Sequence, residues 1–447
     1  MAEQGEKGIA SRLSRRELVK RAGVGAGGLV LSGATAQPLW ARAKVHDASN
    51  TIKIGFVSPI TGPASGFGEP DPYVIALATK AYAKGLTIGG QDYTVEIHQK
   101  DAQSVPAHAA QVAGDLIHSD GVDIMLTTST PEVVNPVSDA CEAAGTPCIS
   151  TVVPWEAWYF GRGAKPGKPS PFRFTYHFCF GVANFADTYL SLWSQVPTNK
   201  KVGVMWPNDA DGNAIRANLG PALEKGGYTI VDPGAYTDGS NDYSAQIAKF
   251  KSAGVQIFNT FPIPPDFATF WRQAAQQGLT KQIKIAQIAK TGLFVSQVSS
   301  LGSLGFNLAS GAYWGPTWPY HSSLTGISNR ALATGYETHY KKAWNQQMGA
   351  SMALFDVATA ALKASGNPKD KTKVANAVKT LNVMTPLGQL HWGPGGAKNP
   401  VPNVVATPIP GGQWVHGTGL HKYAWVFCEH KDDPKVPIQA RLKPYSA

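Results

Sequence analysis

The chain has 447 residues, of which 43% are hydrophobic and 16% are charged. This length favours two or three lobes over a single core, and the composition excludes a disordered chain. The formal net charge is +10, but no basic stripe with interleaved aromatic residues is present, which argues against nucleic-acid binding.

The N-terminal segment resembles an export signal. Residues 14–20 read Ser-Arg-Arg-Glu-Leu-Val-Lys, which resembles the twin-arginine motif. The weakly apolar run at 22–33 is too short to span a membrane, and small residues follow it before Ala36 and Ala43. We therefore predict residues 1–43 to be a signal peptide, read by the twin-arginine translocase and cleaved after Ala36 or Ala43. The mature chain is expected to be a periplasmic protein without a membrane span.

Strand and helix patterns alternate twice along the mature chain, which is typical of parallel sheets covered by helices on both faces. The first set has predicted strands at 51–57, 93–97, 122–126 and 147–151, and helices at 73–84, 103–118 and 131–144. The second set has predicted strands at 201–206, 228–232, 255–261 and 283–288, and helices at 211–226, 243–253 and 265–278. The fold class is therefore α/β, with two doubly wound, Rossmann-like lobes.

Short motifs in the same order as these elements resemble a known family. They include Ile52-Lys53-Ile54-Gly55 with Thr61-Gly62-Pro63, Asp242-Tyr243-Ser244, and Leu387-Gly388 with Trp392. Their order over roughly 51–430 resembles the branched-chain amino-acid (Leu/Ile/Val) binding proteins of ABC transporters, which have the type I periplasmic binding protein fold.

The resemblance implies two lobes that are joined by three crossover hinge segments and close on a small-molecule ligand. On this basis we assign 51–170 and 312–384 to lobe 1, and 171–311 and 385–447 to lobe 2. The resemblance also implies delivery to the permease subunits of an ABC transporter, with no catalysis and no cofactor.

The segment after the predicted strand 122–126 is the first candidate ligand site. Ser129 and Glu132 have the spacing of a capping box, and Pro131 suits the first turn of a helix. A helix N-terminus at the carboxyl end of a parallel strand attracts a carboxylate. Family members bind the ligand carboxylate with this loop, which implies the same role for Thr128 and Ser129.

Other candidate ligand residues lie in the remaining loops at the same sheet edges. The resemblance places Phe67 against the ligand side chain, and it places Val153 and Trp155 in a loop that faces the cleft. From lobe 2, Asp211 and Pro264 follow the first and third predicted strands.

The chain differs from the amino-acid binders at one informative position. Those proteins hold the ligand ammonium with an acidic residue just after the strand that corresponds to 283–288, where this chain has Ala289 and Lys290. Lys290 and the aromatic loops favour an aromatic or other organic carboxylate over a free amino acid. Asp209 or Asp211 could instead contact an ammonium, so amino acids and amides remain open.

Two further points stay open in the sequence. Cys141 and Cys148 flank a predicted helix-to-strand turn, which is compatible with a disulfide or with two buried thiols. No metal-ligand spacing and no nucleophile elbow or phosphate-binding loop is present. An enzyme on an α/β scaffold and a ligand-sensing receptor domain are the alternatives to a solute-binding protein.

Overall fold

The computed structural model describes residues 50–396, 398–418 and 421–446. The predicted signal peptide, residues 1–43, lies outside the described residues. Among the helices of the described part, none is long and apolar enough to cross a bilayer.

Sixteen strands form two large sheets and one small one within the described residues. The strands are β1 Thr51–Ser58, β2 Leu86–Ile88, β3 Gln91–Asp101, β4 Ile124–Thr128, β5 Cys148–Thr151, β6 Thr175–Phe178, β7 Lys201–Met205, β8 Thr229–Val231, β9 Ile257–Thr260, β10 Ile285–Ile288, β11 Leu308–Gly311, β12 Asn382–Thr385, β13 Gly388–His391, β14 Val404–Val405, β15 Gly411–His416 and β16 Tyr423–Phe427.

Twelve α-helices connect and cover these strands in the same part of the chain. The helices are α1 Asp71–Tyr82, α2 Pro106–Asp115, α3 Pro131–Ala143, α4 Trp155–Tyr159, α5 Val182–Trp193, α6 Ala210–Lys225, α7 Ser244–Ala253, α8 Pro264–Gln276, α9 Val295–Ser299, α10 Asn329–Tyr340, α11 Gln347–Ala364 and α12 Lys371–Val378. The alternating elements predicted from the sequence are confirmed to within a few residues.

The two large sheets have seven strands each and are dominated by parallel pairs. The first sheet has the order β14-β6-β5-β4-β1-β3-β2, and the second has the order β16-β15-β11-β10-β9-β7-β8. In the first sheet, Ile54 of β1 lies between Ile97 of β3 and Ile124 of β4. Both faces of β1 are buried, which explains its nearly continuous apolar sequence.

The chain passes between the two sheets three times within the described residues. It leaves the first sheet after β6, returns after β11, and leaves again between β14 and β15. The predicted lobe boundary at residue 170 falls short of β6, because that strand pairs with β5 through Thr151 and Phe178. The predicted start of the last lobe 2 segment at residue 385 is likewise too early, because β14 pairs with β6. The first crossing is therefore the three residues 179–181, and the third is 406–410.

Helix α11 is the centre of the first lobe. Its residues from Gln347 to Thr359 are buried, because the helix packs between the sheet, α1 and the segment that follows β11. Phe355 of α11 stacks on Phe56 of β1 with ring centroids 5.6 Å apart. Gly349 lies directly beneath the indole of Trp314, where a Cβ atom would overlap the ring.

The four cysteines are buried free thiols. Cys141 lies near the end of α3, and Cys148 begins β5. Burial raises the pKa of the Cys141 thiol, and its contact with Cys148 raises this pKa further. Of the two arrangements that the sequence left open, the structure contains the pair of thiols.

The contact between Gly349 and Trp314 gives a prediction about stability. Gly349→Ala should lower the free energy of unfolding by about 1–3 kcal/mol, because the added methyl group overlaps a fully buried ring. Gly114→Ala is the matched control, since Gly114 is also helical but has open space around it. This control should be neutral or stabilising by up to about 1 kcal/mol. Urea denaturation measures both, and equal effects at the two positions would contradict the packing argument.

Candidate ligand-binding site

A cavity lies between the two sheets, beyond the carboxyl ends of their parallel strands. Ser129 and Thr130 reach it after β4, and Ala289 and Lys290 reach it after β10. Open α/β sheets bind ligands at this edge, because the loops that follow several strands meet there. The cavity is lined by Phe67, Ser129, Thr130, Val152, Pro154, Phe180, Phe185, Asp211, Phe261, Ala289, Lys290, Leu293, Ser310, Gly311 and Ile409.

Four phenylalanine rings form the apolar wall of the cavity. Phe180 and Phe185 pack edge to face with their ring centroids 5.0 Å apart, and Phe185 and Phe261 pack in the same way at 5.1 Å between centroids. The ring of Phe294 packs edge to face against the ring of Phe67, with the ring centroids 4.9 Å apart. The cavity volume is about 40 Å³, which is space for roughly three water molecules.

Unpartnered hydroxyl groups mark one end of the cavity. Ser129 has a φ angle of 137°, and its Oγ is buried without a hydrogen-bond partner among the described residues. Such backbone strain in a non-glycine residue is concentrated at ligand-binding and catalytic sites. Helix α3 begins directly after Thr130, so its N-terminal N–H groups add partial positive charge at the same end.

The predicted capping box at this position is wrong. Thr130, and not Ser129, is the N-cap residue of α3, and no side chain caps the helix. Ser129 lies just outside the helix with a positive φ angle, and its side chain makes no cap hydrogen bond. The hydroxyl group that was expected to cap the helix therefore has no partner among the described residues.

A buried group of charges marks the other end. The Lys290 Nζ lies 2.9 Å from Asp211 Oδ2 and 3.4 Å from Asp209 Oδ2. Asp209 is also the N-cap of α6, because its Oδ1 accepts a hydrogen bond from the Gly212 N–H at 2.6 Å. Asp211 Oδ1 is buried and has no hydrogen-bond partner in the described structure. One carboxylate oxygen on the cavity wall therefore remains available.

The charges of Asp209, Asp211 and Lys290 do not cancel, because one lysine faces two aspartates. Burial raises the pKa of Asp211 to about 6, although Lys290 opposes the shift. Burial alone would lower the pKa of Lys290, but Asp211, Asp209 and Glu132 together raise it above its ordinary value. The lysine therefore stays charged. When both aspartates are ionised, Asp209, Asp211 and Lys290 carry a net charge of −1.

Sequence and structure comparisons relate the chain to known proteins. A family model described as periplasmic binding protein matches residues 51–406. The chain belongs to the periplasmic binding protein family.

Among the relatives of this binding protein is the leucine-, isoleucine-, valine-, threonine-, and alanine-binding protein of Pseudomonas aeruginosa. It is 24% identical over 352 residues, which cover 77% of this chain and 86% of that protein. A Leu/Ile/Val-binding protein homolog from Brucella melitensis is 25% identical over 206 residues. That match covers 46% of this chain and spans about half (53%) of the relative.

Solved structures show the same fold. An ABC-transporter solute binding protein from R. palustris in complex with 4-hydroxybenzoate has a TM-score of 0.70 and 17% identity. The comparison covers 86% of this chain and 98% of that chain. A leucine binding protein from Thermotoga maritima has a TM-score of 0.67 and 17% identity, with 86% and 99% covered. These likenesses show that the chain shares the fold of these solute-binding proteins.

The binding protein brings four of the eight predicted ligand residues to the cavity wall, namely Phe67, Ser129, Asp211 and Lys290. Thr128 directly precedes Ser129 in the sequence and is not among the residues that line the cavity. Its Oγ1 accepts a hydrogen bond from Gln347 Nε2 at 2.8 Å. Pro264 is buried at the first turn of α8 and is not among the residues that line the cavity.

Val153 and Trp155 also differ from the expected placement. Val152 has a φ angle of 75°, and it lines the cavity together with Pro154. Val153 packs in a separate cluster with Trp158 and Tyr159, and the ring of Trp155 packs against the same cluster. Residues of the predicted loop line the cavity, but they are Val152 and Pro154 and not Val153 and Trp155.

Sequence reasoning missed Phe180, Phe185 and Ile409. Phe180 lies on the first crossing, Phe185 on α5, and Ile409 on the third crossing. The aromatic run Tyr176, Phe178, Phe180 and Phe185 was an available signal. These residues were not assigned to the cavity, because the predicted boundary between the lobes lay at residue 170, before all of them.

The buried charge group gives a second stability prediction. Lys290→Met should lower the free energy of unfolding at pH 8 by about 3–5 kcal/mol, because two buried carboxylates lose their cation. The loss should be smaller at pH 5, where Asp211 is protonated. Lys431→Met is the control, since its ion pair with Asp187 is more than half exposed and should change stability by at most about 1 kcal/mol. Urea denaturation at both pH values measures these effects, and a loss at Lys290 that does not depend on pH would contradict the assignment.

Proposed function

We propose that this protein captures a small amino-acid-like solute in the periplasm and delivers it unchanged to the permease of an ABC importer. The observation that carries the proposal is Asp211 Oδ1, a buried carboxylate oxygen that has no hydrogen-bond partner among the described residues and belongs to a residue of the cavity wall. Ser129 Oγ is a second unpartnered buried group, and it lies where α3 begins. A ligand with one positive and one negative group would satisfy both.

The charges of the site favour a zwitterion. A ligand ammonium bound to Asp211 would balance the net charge of −1 on Asp209, Asp211 and Lys290. A ligand carboxylate would accept hydrogen bonds from Ser129 and from the Glu132 N–H, because Pro131 at the start of α3 has no N–H group and the Val133 N–H donates to the Thr130 carbonyl oxygen. Phe67, Phe180 and Phe261 would then contact an apolar side chain. Lys290 is held by two aspartates, so it is less suited to bind an anion than its sequence position suggested.

The names of two relatives support an amino-acid ligand. The Pseudomonas aeruginosa relative is named for leucine, isoleucine, valine, threonine and alanine, and the Thermotoga maritima structure is named for leucine. An apolar amino acid is therefore the first candidate for this cavity.

The second candidate is an aromatic carboxylate. The four phenylalanines of the wall favour it, because aromatic rings pack well edge to face or offset. The R. palustris relative was solved with 4-hydroxybenzoate. Such a ligand would use Ser129 and the α3 N-terminus but would leave Asp211 Oδ1 without a partner.

We also propose that the twin-arginine translocase exports the chain. The motif at Ser14 to Lys20 supports this route. The four buried thiols agree with folding before export, because the fold does not depend on an oxidising compartment.

Matched ligand pairs test the proposed function. L-leucine and L-phenylalanine should bind at least about tenfold more tightly than 4-methylpentanoate and 3-phenylpropionate, because only the amino acids can pair with Asp211. Asp211→Asn should weaken amino-acid binding by about 10- to 100-fold and leave the deamino acids nearly unchanged. Isothermal titration calorimetry measures each affinity, and mass spectrometry of the released ligand checks that it is unaltered.

Asp238→Asn is the matched control for this experiment. Burial also raises the pKa of Asp238 to about 6, and Asp209 contributes, but this residue does not line the cavity. Its substitution should leave the preference for amino acids in place. Tighter binding of 3-phenylpropionate or 4-hydroxybenzoate than of the amino acids would favour the aromatic carboxylate instead. Failure of every acid to bind would reject both candidates.

The affinity for an amino acid should depend on pH. Burial raises the pKa of Asp211 to about 6, so the carboxylate is ionised above this pH and protonated below it. The preference for L-leucine over 4-methylpentanoate at each pH isolates this contact, and we expect it to be constant from pH 8 to pH 7 and to fall by about tenfold per pH unit below pH 6. Calorimetry from pH 5 to pH 8 measures the profile. The fall should be absent in Asp211→Asn and should persist in Asp238→Asn; a wild-type profile that is flat to pH 5 would count against an ammonium contact at Asp211.

A further inference from the structure

A chain of buried hydrogen bonds runs beneath the end of β4. Asp71, the first residue of α1, accepts hydrogen bonds from Ser58 Oγ at 2.6 Å and from Ser351 Oγ at 2.9 Å. Gln347 Nε2 lies 3.0 Å from Ser351 Oγ and 2.8 Å from Thr128 Oγ1. All five side chains are fully buried, so water cannot replace any of these partners.

The carboxylate of Asp71 sets the direction of this chain. An ionised carboxylate only accepts hydrogen bonds, so both serine hydroxyl groups must donate to it. Ser351 therefore has no hydrogen left for Gln347, and its oxygen can only accept. The amide of Gln347 must present its N–H groups to Ser351.

The orientation of Gln347 then decides the role of Thr128. With Nε2 toward Ser351, the same NH₂ group donates to Thr128 Oγ1, while Oε1 accepts from the Tyr313 hydroxyl at 3.3 Å. The opposite orientation would place the amide oxygen against the lone pairs of Ser351. Thr128 accepts from Gln347, and its own hydroxyl hydrogen has no acceptor among the described residues. Thr128 directly precedes Ser129 and Thr130 on the cavity wall.

We infer that Asp71 is a positioning residue that acts through Ser351 and Gln347 to make Thr128 an obligate hydrogen-bond donor to the ligand. A carboxylate presents an acceptor oxygen to Thr128 in either orientation, whereas a carboxamide that turns its carbonyl oxygen toward Thr128 must turn its NH₂ group toward the donors at Ser129 and the start of α3. The donor therefore favours a carboxylate. The network therefore determines specificity for the acidic end of the ligand. This inference rests on the carboxylate half of the proposed function, which both ligand candidates share.

The test compares acid and amide forms of one ligand. The pairs are L-leucine with L-leucinamide, and 4-hydroxybenzoate with 4-hydroxybenzamide. Burial raises the pKa of Asp71 to about 7, so calorimetry at pH 8 keeps the carboxylate mainly ionised. In Asp71→Asn the new amide can donate to Ser351, which allows Gln347 to turn over and accept from Thr128. The preference for acid over amide should fall about tenfold.

Asp356→Asn is the matched control. Asp356 is equally buried, lies on α11, and accepts from Ser322 Oγ at 2.6 Å and from the Leu324 N–H at 2.7 Å. Burial raises its pKa to about 7 as well. It has no hydrogen bond to Gln347 or Thr128. The substitution should affect stability but leave the ratio of acid to amide affinity unchanged.

A double-mutant cycle separates positioning from a general structural role. Thr128→Val removes the donor and should lower the acid preference by itself. Adding Asp71→Asn to Thr128→Val should then change the preference little, because the two substitutions act on the same hydrogen bond. If Asp71→Asn does not fold, Ser351→Ala breaks the same chain and should lower the acid preference in the same direction.

The possible results distinguish a failure of the proposed function from a failure of the inference about Asp71. Wild-type protein that binds none of the acids rejects the proposed function and this inference together. Wild-type protein that binds an acid, with Asp71→Asn behaving like Asp356→Asn, rejects the inference alone. An effect of Asp71→Asn that remains at full size in Thr128→Val also overturns it.

Discussion

The burial of Asp211 beside Lys290 is the interaction on which the binding site depends. Removing two charges from water costs several kcal/mol, and the attraction between them offsets this cost only when the geometry is good and the remaining oxygens have partners. Here the lysine is shared by two aspartates, and Asp211 keeps one oxygen without a partner. The fold therefore holds an unsatisfied carboxylate in place, so that a ligand which completes its bonding gains a large differential energy. Asp211 on α6 and Lys290 after β10 both follow strands of the second sheet, so this sheet alone brings the two charges together.

At the opposite end of the cavity, the buried polar group without a partner among the described residues is a hydroxyl group. Ser129 is held at a positive φ angle, and its oxygen has no partner. The buried chain from Asp71 to Gln347 reaches Thr128 one residue earlier. Local strain and a buried polar network both cost free energy. Under the proposed function, both hold hydrogen-bond donors at the end of β4, where they would meet the acidic group of the ligand.

Much of the fold could be predicted, because strands that alternate with helices leave clear periods in the sequence. The elements that were missed have weaker signals: β6 is four residues long and follows a loop rich in Gly, Pro and Lys, and α10 is polar along most of its length. The site was predicted only at the level of loops. A single residue with a positive φ angle, Val152, decides that Pro154 and not Val153 faces the cavity. The pairing of Lys290 with Asp209 and Asp211 could not be predicted, because it joins segments that lie about 80 residues apart and depends on where α6 begins.

Ile409 connects the cavity to the hinge. It lies on the third crossing between the sheets, where its carbonyl oxygen accepts from Thr188 Oγ1 and its N–H donates to Asp432 Oδ2. The crossing is thus tied to the second lobe by its backbone while Ile409 also lines the cavity. Under the proposed function, a bulky solute would press on this crossing, where a small displacement would become a larger one at the rims of the lobes. The volume of the solute would thereby set an angle between the lobes, a quantity that a permease could sense without touching the solute.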